Sequence, residues 1–180
     1  MRHEHLLRLA MACSVAAAVL VIDQVSKALA IAELTGLGRI PLLGDLLGLQ
    51  LAYNPGAALS LGANRTWLIT LVGVIFIVAA CAALWRSRSM ARVVGLALIL
   101  GGALGNLVDR LFAPPSFGQG HVTDFLAYGE LFIGNLADVA LGIGVAIFVL
   151  ANLRERRRES AAPERVPAAS DIPVSQNGES

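Results

Sequence analysis

Two aspartates in apolar surroundings carry the chemistry open to this sequence. Asp124 stands in Val122-Thr123-Asp124-Phe125-Leu126 and Asp138 in Asn135-Leu136-Ala137-Asp138-Val139-Ala140-Leu141, at the edge of and inside a run that reads as membrane-embedded. An ionisable side chain there is costly and marks function by default. Within about 4 Å of each other, two carboxylates repel by about 4 kcal/mol at an effective dielectric near 20. Near neutral pH such a pair holds one proton and one charge and titrates as a unit. That asymmetry suits peptide hydrolysis: the ionised carboxylate takes a proton from attacking water, and the protonated one donates to the developing oxyanion. Which aspartate holds the proton is open at this level.

The elements that must position the pair are membrane spans. The 180 residues are 56% hydrophobic and 15% charged, a composition that excludes an ordinary soluble domain, and no nucleic-acid partner is expected. Apolar runs of about 20 residues, the length that crosses a bilayer core roughly 30 Å thick, fall at 6–29, 66–85, 93–111 and 131–153. Arg8, Asp23 and Lys27 confine the fully apolar part of the first to 9–22. Lys and Arg favour the cytoplasmic side of short loops. Arg2 and Arg8, then Arg86, Arg88 and Arg92, then Arg154, Arg156, Arg157, Arg158 and Arg165 share one side, against Lys27, Arg39, Arg65 and Arg110 on the other. Both termini are therefore expected in the cytoplasm, with segments 30–65 and 112–130 outside. Ala10-Met11-Ala12-Cys13 has the look of a lipoprotein cleavage box, but the apolar run before it is interrupted by Arg8, so a retained first helix is expected. Cys13 and Cys81, both in spans, serve packing rather than a disulfide framework or a metal site.

The fold class that follows is an all-α membrane protein: a four-helix bundle with a small extracytoplasmic β-sheet and an outer lid loop. Segment 36–62 mixes apolar runs with Gly and Pro breaks, which predicts short strands and turns lying against the outer leaflet. Ala113-Pro114-Pro115-Ser116-Phe117-Gly118-Gln119-Gly120 is rich in Pro and Gly and is expected to form a flexible lid. Residues 1–153 form the membrane domain, and 154–180 a disordered cytoplasmic tail whose basic run meets anionic phospholipid headgroups.

Spacing gathers further polar groups at the outer end of the bundle. Gly102, Asn106, Asp109 and Arg110 share one stripe of the third span, and Asn135 and Asp138 one face of the fourth, where Gly134, Ala137 and Gly142 let a neighbouring backbone come close. On a span beginning at 131, Asp138 lies about seven residues in, roughly 10 Å deep. Asp23 and Lys27 are four apart and read as a structural ion pair. Gly101 and Gly105 signal helix packing alone, His121 is incidental, and His3-Glu4-His5 lacks the spacing of a zinc-protease helix. No metal and no cofactor is expected.

Five blocks resemble, in order, the motifs of lipoprotein signal peptidase, the type II signal peptidase of bacteria. They are Asp23-Gln24-Val25-Ser26-Lys27, Asn54-Pro55-Gly56-Ala57-Ala58, Gly101 to Arg110, Val122-Thr123-Asp124-Phe125 and Asn135-Leu136-Ala137-Asp138. The resemblance implies a four-helix aspartyl endopeptidase of the bacterial cytoplasmic membrane that removes signal peptides from prolipoproteins, just before a cysteine already carrying diacylglycerol. It makes Asp124 and Asp138 the catalytic pair and Asn54, Gly56, Asn106, Asp109, Arg110, Asn135 and Ala137 residues that line or support the site. Asp23, Lys27 and Gly102 are left structural. Arg110 and Asn54 offer donors for substrate carbonyls or headgroup phosphate. Leu59 and Gly134 depart from the pattern, which often has Phe at both, and shrink the apolar wall near the substrate channel. A monomer is expected to suffice, with lipid-modified signal peptides and membrane phospholipid as partners. The rival reading is a small transporter or proton-relay subunit, but no internal repeat supports it; a scaffold would need no paired acids.

Overall fold

A computed structural model describes residues 2–56 and 65–160, and four long helices and one small sheet make up these described residues. In chain order they are α1 (Arg2–Leu34), β1 (Ile40–Leu43), β2 (Leu47–Asn54), α2 (Thr66–Arg86), α3 (Met90–Phe112), β3 (Val122–Tyr128), β4 (Phe132–Gly134) and α4 (Leu136–Ser160). Every helix is long and apolar enough to cross a membrane. Half of the most apolar stretch of α3 is buried, against 11% in α1 and α4, so α3 is the hub on which α1, α2 and α4 pack. The outward faces stay apolar: Val21, Ile22, Val25, Trp67, Val72, Ile75, Ile143 and Leu150 are all exposed. So broad an apolar belt has lipid as its solvent.

Small residues set how close the helices come. A side chain on Gly102 would collide with the Ala137 carbonyl oxygen of α4, and one on Gly101 would meet the Ala16 carbonyl oxygen of α1 at 2.8 Å. The i, i+1 pair thus lets α3 touch both neighbours at one level. Below it lies a core of Ala12, Ala16, Ala80, Leu84, Val93, Leu96, Ala97, Ile99 and Leu100. With 33 residues, α1 is about 50 Å long at 1.5 Å per residue and outreaches the bilayer core. Its far end packs Ala30 and Leu34 against Phe125 of β3, fastening the sheet to the bundle.

The sheet is antiparallel in the order β1-β2-β3-β4. Residues 40–43 and 47–54 supply the short strands predicted within 36–62. The fourth span differs from its prediction: Phe132–Gly134 is a strand and the helix begins only at Leu136. Asp138 therefore sits in the first helical turn rather than seven residues in. At its other end α4 runs past 153 to Ser160, with Arg92 bonded to Glu155 at 2.8 Å. The remainder of the predicted tail, 161–180, lies outside the described residues, as does Leu59. The stretch expected to be a flexible lid is hydrogen-bonded at its base and to α2. Gly120 N–H donates to Arg110 O at 3.0 Å, His121 N–H to Pro114 O at 3.0 Å, and the Thr70 hydroxyl to Gly118 O at 2.8 Å.

Candidate active site

Asn135 is the residue around which the site is built. It ends the β4 hairpin and caps α4: its Oδ1 accepts from the Asp138 N–H at 3.0 Å, while the Asp138 carboxylate accepts from the Asn135 N–H at 3.1 Å. This reciprocal pair is a capping box, with Asn at the cap and the acid three residues on. With its Oδ1 so engaged, the Asn135 amide must turn its Nδ2 the other way, where it donates to Asp124 Oδ1 at 2.6 Å and to Asn106 Oδ1 at 3.1 Å. One side chain thus holds both aspartates, Asp138 through its helix cap and Asp124 through its amide. The spacing Asn135-x-x-Asp138 was a readable cap signal, hidden because the apolar β4 residues extend the helix-like run.

Each carboxylate has a second anchor. Asn54, at the end of β2, donates from Nδ2 to Asp124 at 3.2 Å, its own Oδ1 being fixed by the Gly56 N–H at 2.9 Å. Asn106 of α3 donates from Nδ2 to Asp138 Oδ1 at 2.9 Å. Its Oδ1 is in turn held by Lys27 Nζ at 3.0 Å, so a lysine on α1 fixes which end of the amide faces the acid. Burial, followed by the charge of Asp138, raises the pKa of Asp124 from 3.8 to about 6. The neighbouring cation Lys27 and the bonds from Asn54 and Asn135 oppose that shift without cancelling it.

Behind the site the predicted Asp23 and Lys27 pair exists, at 2.8 Å, but as part of a larger cluster. Lys27 Nζ also meets Asp109 at 2.9 Å, and Gln24 donates to Asp109 and to the Gly105 carbonyl at 3.1 Å. The cluster grips backbone as well as charge: Asp23 Oδ1 accepts from the Ala137 N–H at 2.9 Å, and Asp109 Oδ2 from the Thr123 N–H at 3.0 Å. It holds the residue before each catalytic candidate, Ala137 before Asp138 and Thr123 before Asp124. Gln24 and Thr123 were not singled out by sequence; both flank residues that were.

Arg110 supports the site through main-chain oxygens. Its guanidinium is 6% exposed and donates to the carbonyls of Asn54, Pro55 and Gly120 at 3.0–3.2 Å and to Gly56 O. Four main-chain oxygens occupy the donors reserved for substrate, and the side chain straps the Asn54–Gly56 turn to the base of the 113–121 turn. Asn106, Asp124 and Asp138 face a cavity of about 700 Å³ with Asn54, Gly56 and Arg110. Its remaining wall is largely apolar, from Ile69, Val72 and Phe76 of α2 to Leu141 of α4 and Phe132 and Ile133 of β4. A polar end with two carboxyls and an apolar flank between α2 and α4 suit a peptide that enters from lipid.

Known proteins resemble this chain in sequence and in fold. The family described as signal peptidase (SPase) II matches residues 15–154. A lipoprotein signal peptidase of Leifsonia xyli subsp. xyli is 42% identical over 172 residues, covering 88% of this chain and 80% of its own. One from Rhodococcus jostii is 41% identical over 139 residues, covering 77% and 70%. Among solved structures, a bacterial membrane enzyme superposes with a TM-score of 0.72 at 23% identity, over 88% of this chain and 94% of its own, a likeness of fold.

Proposed function

The chain belongs to the signal peptidase II family, and we propose that it cuts the peptide bond between the carboxyls of Asp124 and Asp138. It is a multi-pass membrane protein of the aspartic type, and its activity is the cleavage of prolipoprotein signal peptides. The observation that carries the assignment is the hold of Asn135 on both carboxyls, its side-chain amide donating to Asp124 and its main-chain N–H to Asp138. In the proposed reaction a water lies between the two acids and the scissile carbonyl. The ionised carboxylate takes the water's proton as its oxygen attacks, and the protonated one donates to the carbonyl oxygen, giving a tetrahedral intermediate. Collapse transfers a proton to the leaving nitrogen and breaks the C–N bond. Burial and the charge of Asp138 raise the Asp124 pKa to about 6, so this carboxyl can carry the shared proton below that pH.

The finer substrate reading is a prolipoprotein whose cysteine already bears diacylglycerol, cut just before that cysteine. The apolar flank of the cavity supports it, because a signal helix and acyl chains can enter between α2 and α4 while the scissile bond reaches the polar end. The excess of Arg at the α2–α3 turn and after α4 supports an active site on the extracytoplasmic face. Purified protein in detergent, given a diacylglyceryl-modified prolipoprotein, is expected to shorten it on a gel without added metal or nucleotide. Asp124→Asn and Asp138→Asn are expected to fold and leave it uncut. Full activity in either variant, or loss of activity with chelators, would falsify the mechanism.

A further inference from the structure

One edge of the sheet is blunted and the other is left open onto the cavity. Edge strands invite pairing with further chain, and proteins blunt them with proline, charge or a break in register. β1 carries Pro41 and loses register between Pro41 and Leu43. β4, Phe132-Ile133-Gly134, carries neither proline nor charge, and among the described residues it pairs with β3 alone. Consecutive strand residues point to opposite faces, yet Phe132 and Ile133 both line the cavity that holds Asp124 and Asp138. The cavity therefore wraps the edge of β4 rather than one face of it.

A peptide in that cavity has polar main-chain groups to satisfy, and an unpaired one away from water costs several kcal/mol. Side-chain donors are already committed: Arg110 to four carbonyls, and Asn54, Asn106 and Asn135 to the carboxylates. Among the described residues, what the cavity still offers is the main chain of β4, which leads directly into Asn135. Gly134 keeps the approach bare, since a side chain there would stand 2.9 Å from Asp138 Oδ2.

We propose that the segment to be cut binds in extended form as a fifth strand on the free edge of β4, which lays its scissile carbonyl beside Asp124 and Asp138. The proposal rests on the peptidase reading above and adds the geometry of recognition: affinity from main-chain hydrogen bonds, tolerant of side-chain sequence, with a period of two. It also gives the departure at Gly134 a role.

The test uses the full-length protein in detergent and a set of diacylglyceryl-cysteine peptides in which one amide N–H at a time, on the signal-peptide side of the cut, is replaced by ester oxygen. A strand pairs with an edge through every second residue, so kcat/KM should fall about tenfold at alternate positions and stay near the all-amide value between them. Equal losses at every position, or none, would overturn the added strand. Phe132→Pro and Ile133→Pro give the reciprocal arm. Whichever folded variant removes the N–H that faces the cavity should cut the all-amide peptide about tenfold less efficiently, because a substrate carbonyl loses its donor, while the other variant should not; equal losses in both, or none in either, would count against the pairing. The all-amide peptide is the control for the function itself. If wild type leaves it intact, or Asp124→Asn cuts it, the peptidase assignment falls; if it is cut and alternation is absent, only the strand does.

Discussion

Asp124 carries a pH dependence whose sign can be worked out. Its carboxyl binds a proton more tightly in the folded protein, with a pKa of about 6, than at its ordinary value of 3.8. The favourable contribution to stability is therefore complete below about pH 4 and is lost as pH rises through about 6. At about 1.4 kcal/mol per pKa unit, the loss is on the order of 2–3 kcal/mol. Thermal unfolding of wild type followed from pH 4 to 8 should decline relative to Asp124→Asn across that window, and parallel curves would refute the shift. Activity follows the same proton: kcat/KM should fall above about pH 6 as the free enzyme loses it. Lys27 poses a different problem, because it is 3% exposed and touches Asp23, Asp109 and Asn106. Lys27→Met leaves two buried carboxylates without their cation, a loss of about 3–5 kcal/mol. The expected result is a large drop in melting temperature, partly restored by adding Asp109→Asn; an unchanged melting temperature would mean the cluster holds little.

Elements explain why these side chains meet, and they also mark where the sequence could and could not be read. α2 and α3 were legible because each is one apolar run closed by Arg or Pro-rich chain, and the polar stripe on α3 followed from spacing alone. The start of α4 was not, because Phe132 and Ile133 of the β4 hairpin are as apolar as the helix that follows, and hydrophobicity does not separate a short buried strand from a helix. Asn135 was seen as a face-mate of Asp138; that it caps the helix depends on where the helix starts. Of the two roles the sequence leaves open for Arg110, its contacts display the supporting one, and a sequence shows donors but not the carbonyls that a tight turn turns inward to meet them. The cap makes a sharp prediction. Asn135→Ala should cost about 1 kcal/mol as a lost N-cap, yet lower kcat on the order of 10²-fold, since both acids lose a holder and small misplacements of reacting groups are costly. A fall in kcat no greater than the loss of folded protein would show that Asn135 serves the helix alone.

At the scale of the whole molecule the question is how a bundle so thin in buried core holds a polar pocket together at one end. Apolar faces of α1, α2 and α4 look outward, so lipid supplies the packing that a soluble core would, and α3 is left to organise the interior. The sheet rides on the far end of α1, at the same end as Asp124, Asp138 and the Asp23, Lys27 and Asp109 cluster. The opposite end carries Arg86, Arg88 and Arg92 and the basic turn of α4, and their charge favours the cytoplasmic side. That orientation is testable without any assay of cleavage. In a background of Cys13→Ser and Cys81→Ser, a cysteine at Phe117, which is 75% exposed at the sheet end, should react with a membrane-impermeant maleimide on intact cells. A cysteine at Arg88, exposed in the α2–α3 turn, should react only after the cells are opened. The reverse pattern would turn the protein over and put its carboxyls on the side where signal peptides have not yet crossed. Because α4 is helical to Ser160, truncation belongs after that residue rather than at 154; a chain ending there is expected to cleave as well as the full one, Arg92 and Glu155 keeping the inner ends of α3 and α4 together.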